Sequence, residues 1–275
     1  MQSAGKMRGK SGTGLPIIPI RMPNTPGGGY LTEKDQEAEM PLIEHLDELR
    51  KRIIFVAAAI FGVTIICFVF INHILAFLTA PAGDLVLIYT TPAEAVMAQI
   101  RLAFTAGAIL TLPITFYHIL AFIMPALRRV EKRTIILLIL AMNLLFFLGM
   151  AFSYFVIIPL ALRFFLGFQT DTLQPLFTIS RYISFVVSFL ISVGVVFQVP
   201  VAFWFLGKIG LVSAQYLRKQ RKFAILIMAV ISAVITPPDI FSQLLMLAPL
   251  LVLYEMGVFM VVLAERKQKQ EQADT

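Results

Sequence analysis

The side chains able to do chemistry are few, and most stand alone. Cys67 is the single cysteine, which leaves neither a disulfide framework nor a CxxC metal site. The three histidines, His45, His73 and His118, are scattered without ligand spacing; His118 reads as a buried structural residue. No glycine-rich phosphate loop, Ser-His-Asp arrangement or HExxH pair occurs, and no nucleophile stands beside a base. No cofactor or metal is expected, and the chain reads as non-enzymatic. What remains is a pair of acids set among bases. Glu48 precedes Arg50, Lys51 and Arg52, and Glu131 sits among Arg128, Arg129, Lys132 and Arg133. A carboxylate set in such a basic rim accepts charge-assisted hydrogen bonds. A guanidinium, planar and forked, matches its two oxygens best. The plainest partners are internal: Arg52 for Glu48 at i,i+4 and Arg128 for Glu131 at i−3.

The elements that carry these acids are apolar. Of 275 residues 59% are hydrophobic and 14% charged, and mean hydropathy is +0.85. No water-soluble surface can be built from that composition. Apolar blocks at 53–71, 102–127, 134–162 and 182–207 are long enough to cross a bilayer, which takes about 20 residues. The fifth, 223–235, is stopped by Thr236-Pro237-Pro238. At about 1.5 Å per residue it is short for a hydrocarbon core of about 30 Å, so it should thin the bilayer locally or hide against its neighbours. The sixth, 240–264, is interrupted by Pro249 and carries Glu255, an intramembrane acid without an assigned role. The fold expected is all-α: a polytopic membrane protein of six transmembrane helices, the fifth and sixth short, kinked and concave.

Lys and Arg cluster in alternate loops. They precede the first span, separate the second from the third and the fourth from the fifth, and follow the sixth. The other loops hold only Arg163, Arg181 and, at the edge of span two, Arg101. By the positive-inside rule both termini are cytoplasmic. The net charge of +7 reflects this bias and not nucleic-acid binding, since no basic stretch is interleaved with an aromatic RNA-binding pattern.

Residues 1–39, rich in Gly, Pro, Ser and charge, are expected to be a disordered extension. Their apolar run at 15–20 is too short and proline-broken for a secretory signal. An amphipathic helix should begin near Pro41, with acids first and bases last along its dipole. The membrane domain is then 40–265 and the cytoplasmic tail 266–275.

Five segments, in order, resemble the TatC family, the multispanning receptor subunit of the twin-arginine protein translocase. They are the run from Pro41 to Arg52; Phe122-Ile123-Met124-Pro125-Ala126-Leu127 with Glu131-Lys132-Arg133; Gly149-Met150-Ala151-Phe152-Ser153-Tyr154-Phe155 with Pro159-Leu160-Ala161; Phe197-Gln198-Val199-Pro200; and Thr236-Pro237-Pro238-Asp239 with Phe241-Ser242-Gln243. The resemblance implies a receptor in a bacterial inner membrane, a thylakoid membrane being the lesser alternative. It would bind twin-arginine signal peptides of folded cargo and recruit single-span TatA- and TatB-like partners into a multimeric complex driven by the proton-motive force. Position by position it assigns signal-peptide binding to Glu48 and Glu131, with Arg50, Phe122 and Leu127 in the same motifs. It assigns a polar contact with a partner's helix to Thr236 and Gln243, whose alternative role is capping loose helix ends.

One position departs from that pattern. The family usually has a glutamate where Gln198 stands, and an amide hydrogen-bonds but carries no charge. Pro200 should bend span four. Glu94, after Thr91-Pro92, should cap the helix it enters, with a polar contact in the outer loops as the other reading. Pro81 should fix the shape of the first outer loop. The rival function is a secondary transporter of small solutes, against which stand the absence of an internal repeat and of paired ionisable groups near mid-bilayer.

Overall fold

The structure is a computed structural model that describes residues 33–83, 85–123, 132–168, 176–236 and 239–273, with side chains described over 45–266 of these. It divides into two compact units, 1–46 and 47–275. Of the first, the described part is the opening of helix α1 (Glu33–Val69). That start lies ahead of the one near Pro41 read from the sequence; residues 1–32 lie outside the described residues.

The second unit is helical apart from one two-residue strand pair. After α1 come α2 (Ile71–Thr79), a 3-10 turn at Ala80–Ala82, α3 (Pro92–Leu110), α4 (Leu112–Ile123) and α5 (Lys132–Phe152). A π turn, Ser153–Ile157, leads into α6 (Ile158–Leu166). Then follow α7 (Ile179–Val196), α8 (Val199–Lys208), α9 (Ala214–Lys219), α10 (Arg221–Ile235) and α11 (Ile240–Ala273). Five stretches are long and apolar enough to span a membrane: His45–Val69, Pro92–Leu110, Arg133–Leu166, Ile179–Lys208 and Ile240–Arg266. The protein is a multi-pass membrane protein.

Three sequence expectations need correcting. Span two begins at Pro92, not at 102, because α3 runs straight through Arg101. It breaks at Thr111, whose hydroxyl turns back to the Gly107 carbonyl at 2.9 Å, just ahead of Pro113 in the first turn of α4. The sixth span is not short: Pro249 lies inside a continuous α11 of 34 residues. Neighbouring helices tolerate a proline in such a setting. The fifth, α10, is indeed only 15 residues.

The α7 helix is the hub. Ile183, Val186 and Phe189 are fully buried, and it packs on both α3 and α5. Two glycines set its distance from α5. A β-carbon on Gly149 would lie 2.7 Å from Phe197 Cγ, and one on Gly194 would lie 2.8 Å from Phe146 Cε2. Each backbone therefore takes the other helix's phenylalanine, the small-residue packing that membrane helices use in place of a hydrophobic driving force. Around the hub, α1 and α10 are peripheral. Ile53, Phe61, Ile65 and Val69 on α1 are exposed, as are Phe223, Leu226 and Val234 on α10. In a bilayer such faces meet lipid.

At one end, hereafter the Glu94 end, the connections are tied to backbone. Strand β1 (Leu87–Ile88) pairs in parallel with β2 (Phe177–Thr178). The Tyr154 hydroxyl donates to Phe77 O at 2.6 Å and Tyr182 to Leu78 O at 3.0 Å. Pro81 opens the 3-10 turn beside them.

Candidate functional site

At the opposite, basic end, α1 brings its acid to α4. Glu48 and Arg52 lie one helical turn apart, and Glu48 Oε1 accepts from Arg52 Nε at 3.0 Å and Nη2 at 2.5 Å. The carboxylate is 37% exposed and the guanidinium 23%. Arg52 Nη1 also approaches His118 Nδ1 of α4 at 3.5 Å, and the His118 ring lies 4.9 Å from Phe55. His118 is thus half-buried and structural, a link between α1 and α4. Phe122, half-buried, is one turn further along α4 on the same face. Arg50 is exposed on α1. Glu131 and Leu127 lie outside the described residues. The basic end is completed by Lys208, which donates to Thr134 Oγ1 at 2.7 Å and lies 5.5 Å from the Trp204 ring.

The arrangement is a partly exposed carboxylate already holding one guanidinium. Among the described residues no group of three His, Cys, Asp or Glu could hold a metal ion. Periodicity alone pointed to the Glu48–Arg52 pair. It could not point to His118 as the companion of Arg52, because that contact joins residues 66 apart.

The other singled-out residues serve the frame. Glu94 sits in the first turn of α3 and accepts from Thr90 N at 2.9 Å and Thr90 Oγ1 at 2.7 Å. Its own N–H donates to Thr91 Oγ1 at 3.2 Å. The two halves form a reciprocal cap. Gln198 lies at the α7–α8 break just ahead of buried Pro200. Its Nε2 donates to Met142 O at 3.1 Å and Gly194 O at 3.4 Å, which ties the break to α5. Thr236, buried, donates to Ser232 O at 2.8 Å, and Gln243 Nε2 donates to Ala229 O at 3.2 Å across α10 and α11. Both are turned towards their own helix pair. Glu255 pairs with Arg221 at 2.6 Å.

The family model for the Sec-independent protein translocase protein TatC matches residues 44–249. The chain belongs to the TatC family. It is 38% identical to the TatC protein of Carboxydothermus hydrogenoformans over 236 residues, covering 85% of this chain and 97% of that one. To the TatC protein of Escherichia coli K12 it is 37% identical over 228 residues, covering 81% and 88%. A crystal structure of the twin arginine translocase receptor TatC superposes with a TM-score of 0.73 at 37% identity, over 80% of this chain and 99% of that one. As a TatC-family protein the chain is a multi-pass component of a protein translocase.

Proposed function

We propose that this TatC-family chain is a receptor for signal peptides carrying paired arginines, lying in a bacterial inner membrane with both termini in the cytoplasm. It would recruit single-span TatA- and TatB-like partners into a multimeric complex driven by the proton-motive force. The observation that carries the reading is Glu48. It is half-exposed at the basic end and accepts two guanidinium N–H groups from Arg52.

The binding step is then an exchange of guanidinium groups. A ligand arginine displaces Arg52 from Glu48, and Arg52 keeps His118 within reach. The second arginine goes to Glu131, and Phe122 and Leu127 supply apolar contact beside it. Arg50 holds the local potential positive, so a lone cation without the fork geometry is a poor competitor. Gln198, neutral, clamps the α7–α8 break and carries no proton. Thr236 and Gln243 keep their oxygens as acceptors for a partner helix while their donors stay in the α10–α11 pair. The short α10 brings the membrane surface inward beside them.

The test is peptide binding in nanodiscs. Wild-type protein should prefer an Arg-Arg peptide to its Lys-Lys counterpart. Glu48→Ala with Glu131→Ala should abolish the Arg-Arg affinity. His118→Ala should weaken it only a few-fold, because that side chain receives the displaced Arg52 and not the ligand. Unchanged affinity in the double variant removes the proposal.

A further inference from the structure

The C-terminal end of α10 stops well short of the Glu94 end. Ser188 Oγ donates to Ile235 O at 3.3 Å. Ser188 lies nine residues (188 − 179) past Ile179, where α7 begins, or about 14 Å along the axis. Above that helix end, at membrane depth, a notch of about 340 Å³ is left on α7. It is lined by Ser180, Arg181, Ser184 and Ser188, with Ile235 and Thr236 as its floor. A second pocket of about 370 Å³ shares Arg181 and Phe185 with it and is otherwise largely apolar, walled by Leu162, Phe165 and Tyr182.

A second arginine enters the same place from α3. Arg101 is nine residues (101 − 92) past the start of that helix, inside the span. Its Nη1 donates to Ser184 Oγ at 2.5 Å, and Ser184 donates in turn to Ser180 O at 2.8 Å. Side chains on a helix tilt towards its N-terminus, so Arg101 snorkels towards the Glu94 end. An arginine inside a span is a functional candidate by default. Among the described residues neither Arg101 nor Arg181 has an ion-pair partner. Glu94, the described acid at this end, is taken up by Thr90.

Two guanidinium groups with no ion-pair partner among the described residues, a ladder of hydroxyls and an adjoining apolar pocket describe one kind of ligand. We propose that the notch binds the phosphate headgroup of an anionic phospholipid, one acyl chain of which fills the pocket beside Phe165 and Phe185. The site is separate from the Glu48 end and goes beyond signal-peptide recognition. It gives the leaflet at the Glu94 end a fixed lipid where α10 leaves the protein thin.

Native mass spectrometry tests it on protein released from nanodiscs of equal phosphatidylglycerol and phosphatidylcholine. Wild type should retain phosphatidylglycerol preferentially. Arg101→Gln with Arg181→Gln should reduce that preference about tenfold, roughly the weight of one charge-assisted hydrogen bond. Lys at both positions should keep most of it. Lipid bound at the basic end is common to all three proteins and cancels. An unchanged unfolding midpoint shows that the Gln variant is intact. No preference in wild type, or full preference in the Gln variant, overturns the proposal. Displacement by millimolar glycerol phosphate would make the ligand a free anion. Crosslinking from position 184 to a single-span protein, with no lipid selectivity, would give the notch to a partner helix. Either result also overturns it.

Discussion

The two ends of the membrane unit are held by different physics. At the Glu94 end two ties run from buried tyrosine hydroxyls to backbone carbonyls, Tyr154 to Phe77 and Tyr182 to Leu78, beside a strand pair and the exposed cap in which Thr90 donates to the Glu94 carboxylate. At the basic end most of the ties run between side chains, Glu48 to Arg52, Lys208 to Thr134 and Arg221 to Glu255, with one tie of the first kind, the Tyr254 hydroxyl to Leu217 O at 2.8 Å. A backbone carbonyl cannot swing away, and leaving it unpaired in a dry site is costly. A surface ion pair is worth little and exchanges its partner readily. The Glu94 end therefore leans more on fixed backbone acceptors, and the basic end more on ion pairs that can change partners. That contrast suits a receptor whose ligand arrives at the basic end.

The sharpest way to break the contrast is to disturb what both ends depend on. Gly194→Val would force a β-carbon to within 2.8 Å of the Phe146 ring. Overpacking of this kind costs about 1–3 kcal/mol and sometimes more. Both ends should loosen together, read as a lowered unfolding midpoint and lost peptide binding. Loss at one end alone would show that α7 is not the common support.

Tyr182→Phe comes next. Its ring is buried and its hydroxyl satisfies Leu78 O. Removing the donor should cost about 1–3 kcal/mol, the penalty of an unsatisfied buried carbonyl. Midpoint and protease resistance of the 70–90 segment should fall, while affinity for an Arg-Arg peptide stays within a few-fold of wild type. A parallel loss of affinity would mean that the two ends are coupled through α1 and α2.

How much of this was legible beforehand follows the same division. Hydropathy gave the helices, because period and length are local. It misplaced the start of span two because Arg101 looked like a loop charge, and only the fold shows it reaching Ser184. Pro249 looked like an interruption and is carried inside α11. The Glu48–Arg52 pair was readable at i,i+4 spacing. His118 beside Arg52, Glu255 opposite Arg221 and Tyr182 beneath Leu78 join residues 66, 34 and 104 apart, and no local pattern encodes such pairs. Gln198 stood out by its type, but its anchor on Met142 is a property of the α5–α7 packing.

The smallest effect belongs to Arg221 and Glu255, and it sharpens where the basic end meets the membrane. Both side chains are about half-exposed, at 48% and 51%. Arg221 opens the short α10, with Arg218 and Lys219 just ahead of it in α9. If α10 starts at headgroup level, the pair is wet. A double-mutant cycle with Arg221→Gln and Glu255→Gln should then give a coupling of about 0–1 kcal/mol that fades as salt rises. A pair in hydrocarbon would behave otherwise. Each single variant would strand a charge and cost several kcal/mol, the double variant would recover most of it, and salt would matter little. The first result places Glu255 in the headgroup layer although it lies within an apolar stretch of α11. It also makes the membrane thinnest along α10, between this pair at one face and the Ser188 notch at the other.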